Sequence, residues 1–281
     1  MAESRAIAYH SSVTFASLRP AVVALTLFAS CAQAQLPASV FIEDFTSPEL
    51  RRAIDGGKTI VLVPIGGTEQ NGPHMTLGKH NARVRALAER IARTLGNALV
   101  APVIAYVPEG SVAPPAAHMR FPGTITVPDA AFETTLEYAA RSFRLHGFRD
   151  VVFLGDHGDY QKDMKAVAAR LDREWATQPV RVHAVEEYYR AAGSGFAHLL
   201  ASRGYRADEI GTHAGLADTS LSLAVNPQSV RPEQLEAAAS GGRSAGVYGD
   251  PRRASAELGA AGADLVVSET VAAIRKAVAR N

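Results

Sequence analysis

Apolar positions along the chain alternate between two patterns. Thr59–Ile65 is a short, almost wholly apolar run, as expected of a strand buried on both faces of a parallel sheet. Asn81–Leu95 follows, with Val84, Leu87, Ala88, Ile91, Ala92 and Leu95 at helical spacing and Gly96 as a stop signal. A second apolar run covers Ala98–Ala105. Asp129–His146 reads as a helix with Phe132, Leu136, Ala139, Ala140 and Phe143 on one face. Val151–Leu154 is a third strand, Tyr160–Trp175 a helix turning Met164, Val167, Ala168, Leu171 and Trp175 inward, and Val180–Val185 a fourth strand. This strand–helix alternation predicts an α/β sandwich with a mainly parallel sheet. No linker divides the chain after residue 34, so 35–281 reads as one domain. The stretch Ala237–Ala261 is rich in alanine and glycine.

The first 34 residues read differently. Arg5 and Arg19 precede an apolar run from Ala21 to Ala29, followed by Ala32-Gln33-Ala34, a small-x-small cleavage site. The run is too short to span a bilayer, which takes about 20 residues. A cleaved signal peptide over 1–34, with a periplasmic or secreted mature chain, is the expectation. Phe28-Ala29-Ser30-Cys31 resembles a lipobox, so a lipid anchor at Cys31 is the alternative.

Lysine and arginine total 29 against 28 aspartate and glutamate, and removing Arg5, Arg19 and Glu3 with the leader leaves the rest formally neutral. That balance argues against a nucleic-acid partner. The single cysteine, Cys31, excludes an internal disulfide and any cysteine-based zinc site.

The candidate chemistry follows the first and third strands, where ligands bind in open parallel sheets. Gly66–His80 is a Gly/Pro-rich loop carrying Glu69, His74 and His80. Gly155-Asp156-His157-Gly158-Asp159 follows the strand ending at Leu154. Alone, the first is equally a polar surface loop, and the second, which favours function only slightly, has a helix cap by Asp159 beside a surface histidine as its alternative. Together, carboxylates and imidazoles from adjacent strand ends suit a Zn, Mn or Fe(II) site. Gly211–Ser220 adds His213 and Asp218, or else simply starts a helix at Gly215.

Four segments carry a family resemblance. Pro64-Ile65-Gly66-Gly67-Thr68-Glu69-Gln70-Asn71-Gly72-Pro73-His74 resembles P-x-G-S-x-E-Q-H-G-P-H, and His118-Met119-Arg120-Phe121-Pro122-Gly123-Thr124 resembles H-x-x-F-P-G-T. Gly155–Tyr160 stands where N-G-H-G-G-N or H-Y-E-N is found. His213-Ala214-Gly215 with Asp218-Thr219-Ser220 resembles H-A-G-x-x-E-T-S, and Gly249-Asp250-Pro251 is a weaker fifth echo. In this order they resemble the creatininase family of metal-dependent amidohydrolases. The resemblance implies a three-layer α/β/α sandwich, often a hexamer, and a two-metal site that activates water against a carbonyl. It implies metal ligands at Glu69 and His157, a second-metal carboxylate at Asp159, a similar place for Asp218, and a proton shuttle at His213. Three departures stand out. Asn71 replaces a histidine, His80 replaces the bridging aspartate, and Gly155 and Tyr160 replace asparagines.

The expectation is therefore a metal set of Glu69, His80, His157 and Asp159, with His213 and Asp218 catalytic. One or two divalent ions per protomer, Zn or Mn with Fe as an alternative, would form a mononuclear or asymmetric centre. The expected activity is hydrolysis of a C–N bond in a small linear or cyclic amide by an exported homo-oligomer, perhaps a hexamer as in the family. The alternatives are a catalytically impaired member that binds a small ligand in the periplasm, and a lactone hydrolase on the same scaffold.

Overall fold

The structure, a computed structural model, describes Met1 and residues 36–279. The expected export segment from residue 2 onward, with Cys31, lies outside the described residues. Residues from Leu36 onward form one unit.

Four parallel strands, β1 (Ile60–Ile65), β2 (Ala98–Val100), β3 (Asp150–Gly155) and β4 (Arg181–Ala184), lie in the order β2-β1-β3-β4. Before, between and after them run α1 (Ser47–Asp55), α2 (Lys79–Leu95), α3 (Asp129–Leu145), α4 (Gln161–Glu174), α5 (Glu186–Arg190), α6 (Phe196–Ser202), α7 (Ala207–Ile210), α8 (Leu216–Val225), α9 (Leu235–Gly241) and α10 (Ala256–Val278). The pleat sorts β1 and β3 into two cores, since successive strand side chains point to opposite faces. Ile60, Leu62, Val152 and Leu154 pack with residues of α2, α8 and α10. Val61, Val63, Ile65, Val151 and Phe153 pack against α1, α3 and α4. The result is the three-layer α/β/α sandwich.

Three differences from the sequence pattern have local causes. β2 ends at Val100 instead of running to Ala105, because Pro102 has no N–H for a ladder; only Ile104 rejoins, as a bridge to Ile65. Helix α2 begins at Lys79, two residues before the first polar position that periodicity marks, and so carries Lys79 and His80 in its first turn. The Ala/Gly-rich stretch contributes the start of α10, whose small residues permit close packing: a Cβ at Gly259 would stand 1.8 Å from the Ser220 carbonyl oxygen on α8.

The strand order positions the site. The chain leaves β1 toward β2 on one side and later returns to β3 on the other. The crevice beyond the carboxyl ends of β1 and β3 is thus a topological switch point.

Candidate metal centre

Glu69, from the loop after β1, is fully buried at the centre of this crevice. Its Oε1 lies 2.7 Å from His80 Nε2, 3.4 Å from Lys79 Nζ and 3.5 Å from His213 Nδ1. Its Oε2 lies 3.3 Å from His157 Nε2 and 3.4 Å from His118 Nε2, yet has no hydrogen-bond partner among the described residues. Burial would raise the Glu69 carboxyl, but Lys79, His80 and His157 overcome it and hold the group well below the usual range.

The first turns of α2 build one wall. His80 places Nδ1 2.6 Å from Asp156 Oδ2, which fixes the ring and aims Nε2 at Glu69. Asp156 is in turn gripped by Arg83 Nε at 2.8 Å and accepts from Tyr188 Oη at 2.7 Å. Tyr160, which the family pattern has as asparagine, ties the two strand ends together. Its hydroxyl donates to the Gly66 carbonyl and accepts the amides of Asp156 and His157.

His157 follows β3. Burial alone would depress its imidazole; the adjacent Glu69 carboxylate and the charges of Glu109 and Asp159 instead raise it to about 9. His213 sits opposite. Its Nε2 lies 3.0 Å from the Gln70 carbonyl oxygen and 3.2 Å from Gln70 Nε2, and its Nδ1 lies 3.5 Å from Glu69 Oε1. Burial first and the Lys79 charge second push it down to about 3, so it is neutral at physiological pH.

The six expected residues take different places. Glu69, His80 and His157 offer donor atoms within 4.8 Å of one another. Asp159 is exposed at the rim and shares a second such triplet with His157 and Glu109. His213 shares a third with Glu69 and His118. Asp218 stands apart from these triplets. Arg83 Nη1 reaches its Oδ1 at 2.8 Å, while Lys79 Nζ at 3.0 Å and the Ala214 amide at 2.9 Å reach its Oδ2. Against the cost of burial, Lys79 and Arg83 hold its carboxyl well below the usual range. Asn71 donates its amide to the carbonyls of Glu69 and Thr76. His74 bonds Thr219 Oγ1 at 2.9 Å and is pushed to about 4, chiefly by burial.

Sequence reasoning passed over two groups as site residues. His118, in the H-x-x-F-P-G-T segment, packs against His213 with ring centroids 4.4 Å apart and the planes tilted by 40°. Glu109 is fully buried, and neither carboxylate oxygen has a hydrogen-bond partner among the described residues. Its only sequence signal is the Pro108-Glu109-Gly110 punctuation beyond β2.

Above the cluster lies a cleft of about 330 Å³ walled by Lys79, His118, Phe121, His157, Tyr189 and Tyr248. Beside it opens a recess of about 480 Å³, lined in part by Ala192, Gly193, Ala197, Ile210 and Ala217 and sharing Tyr189, Thr212 and His213 with the cleft.

The α/β/α sandwich thus carries a buried carboxylate–imidazole cluster at its switch point. The chain belongs to the creatininase family of hydrolases: the family model described as creatinine amidohydrolase matches residues 43–274. The mycofactocin precursor peptide peptidase of Mycolicibacterium smegmatis is 28% identical over 71% of this chain and 78% of its own length. The creatinine amidohydrolase of Pseudomonas putida is 27% identical over 68% and 74%. A solved structure titled as manganese creatininase superposes with a TM-score of 0.70 at 24% identity, covering 85% of this chain and 98% of its own.

Proposed function

We propose that this chain is an exported, metal-dependent hydrolase of a C–N bond in a small amide. The observation that carries the reading is the Glu69–His80–His157 donor set, with a buried, unpartnered Glu69 oxygen and with His80 and His157 lining an open cleft. Two imidazoles and one carboxylate suit zinc or manganese. Such an ion, held by these three residues, would polarise a carbonyl and lower the pKa of a water molecule.

The protein's own groups supply the rest. Asp156, locked by Arg83 and Tyr188, keeps His80 in one orientation. Lys79 and Arg83 neutralise Asp218 and share Glu69 and Asp156, which limits the negative charge felt in the cleft. His213, neutral and lining the cleft, is placed to relay a proton to a departing nitrogen. The apolar recess beside His213 favours an amide with an apolar arm over a compact ring alone. Export rests on the residue 1–34 pattern.

The test is turnover of a panel of linear and cyclic amides by the purified protein, with metal content measured and Zn or Mn added. Activity that chelator removes, metal restores and His157→Ala abolishes supports the reading. Wild-type turnover by His157→Ala overturns it. A second reading, a ligand-binding member without turnover, is favoured by Asn71, whose amide is spent on backbone carbonyls. Tight binding of an amide that is never cleaved would select it.

A further inference from the structure

The geometry points to Glu109 as a ligand of the ion held at His157, supplying a second carboxylate from the loop beyond β2. This rests on the metal-hydrolase reading above. Glu109 has no exposed surface, and both its oxygens lack a hydrogen-bond donor among the described residues. A buried carboxylate in that condition needs a cation or a proton, because nothing else replaces its lost hydration. Lysine and arginine do not fill the role. Lys79 is engaged by Glu69 and Asp218, and Arg83 by Asp156 and Asp218. The charge that faces Glu109 is the His157 imidazole, with Nε2 3.6 Å from Oε2.

That spacing is informative. Two donors each about 2.1 Å from one tetrahedral ion lie about 3.4 Å apart. His157 Nε2 is 3.3 Å from Glu69 Oε2 and 3.6 Å from Glu109 Oε2, and Glu109, His157 and Asp159 offer donor atoms within 4.8 Å of one another. His157 is the common member of the Glu69–His80–His157 and Glu109–His157–Asp159 donor sets, so an ion held at its Nε2 has Glu109 as a carboxylate within reach.

The pocket for Glu109 is built. Its amide donates to Thr126 Oγ1 at 3.0 Å, which anchors the loop. Gly67 has φ +151°, and a Cβ there would fall 2.5 Å from Glu109 Oε1. Glycine at 67 thus clears space for this carboxylate. Charge gives a further reason. Glu69 already shares its charge with Lys79 and His80, and a divalent ion beside it gains from a second anion.

The test is cobalt(II) and zinc binding by the full chain, read by chelator competition and by the visible spectrum of the cobalt form. Glu109→Gln keeps the shape and removes the charge; Glu109→Asp keeps the charge and withdraws the carboxylate. Both should weaken binding at least tenfold and change the cobalt spectrum, whereas Asp129→Asn, a surface control outside the cluster, should do neither. If Glu109→Asp binds as wild type, the carboxylate acts only as a distant charge and direct ligation is wrong. If both variants match wild type in affinity and spectrum, Glu109 has no role in the ion's site. If the wild type itself binds neither ion, the metal reading falls together with this one.

Discussion

Replacing Glu109 by glutamine tests how the cluster is balanced when no ion is bound. Burial, partly offset by His157, raises the Glu109 carboxyl from the ordinary 4.5 to about 8. Between those two values the folded metal-free chain keeps a proton that the unfolded chain has released. Its stability therefore falls as pH rises through that window and levels off above about 8. The span corresponds to an upper figure on the order of 5 kcal/mol. His157, raised from 6.5 to about 9, acts in the same direction: its contribution is full below 6.5 and is lost as pH rises through 9. Glu109→Gln should remove the first effect and leave most of the second. Urea unfolding in excess chelator at pH 5, 7 and 8.5 measures the difference. The variant should match wild type at pH 5 and exceed it by roughly 3–5 kcal/mol at pH 8.5, equivalent to about 10 °C in Tm for a domain of this size. Parallel pH profiles for the two proteins would refute the argument that Glu109 is an uncompensated buried carboxylate. Saturating metal should reverse the order.

Other consequences are as direct. Asp156→Ala strips Arg83, His80 and Tyr188 of a shared partner and should cost about 3–5 kcal/mol in urea unfolding, since a buried guanidinium loses one of its counter-ions. His213→Asn should lower kcat on a cleaved amide by about 10²–10⁴ with metal content near wild type; unchanged kcat would remove His213 from proton transfer. Gly259→Ala would gain about 1 kcal/mol of helix propensity in isolation. The Ser220 carbonyl oxygen 1.8 Å from the new Cβ makes it destabilising instead, by about 1–3 kcal/mol in thermal unfolding.

The strands and the flanking helices of the sandwich were legible in the sequence because burial has a local period. Apolar runs at 60–65 and 151–154 and the 3.6-residue spacing in α2, α3 and α4 depend only on near neighbours. The helix α10 was less so, since alanine and glycine give little amphipathic contrast, and its position depends on close contact with α8. Motif order likewise marked the loops after β1 and β3, and the structure brings Glu69, His80 and His157 from them within reach of one another.

What the sequence could not determine is how the charges in that crevice are shared. Asp218 and Asp159 look alike on paper as acidic neighbours of a histidine. Folding places one between Lys79 and Arg83 and leaves the other at the rim. Glu109 reads as a loop residue until the chain buries it beside His157, 48 positions away in sequence. The physical reason is the same in each case. Secondary structure follows from local periodicity, whereas a carboxylate's state depends on which cations and donors surround it after burial. Those neighbours come from loops and helix ends that only the folded sheet order brings together.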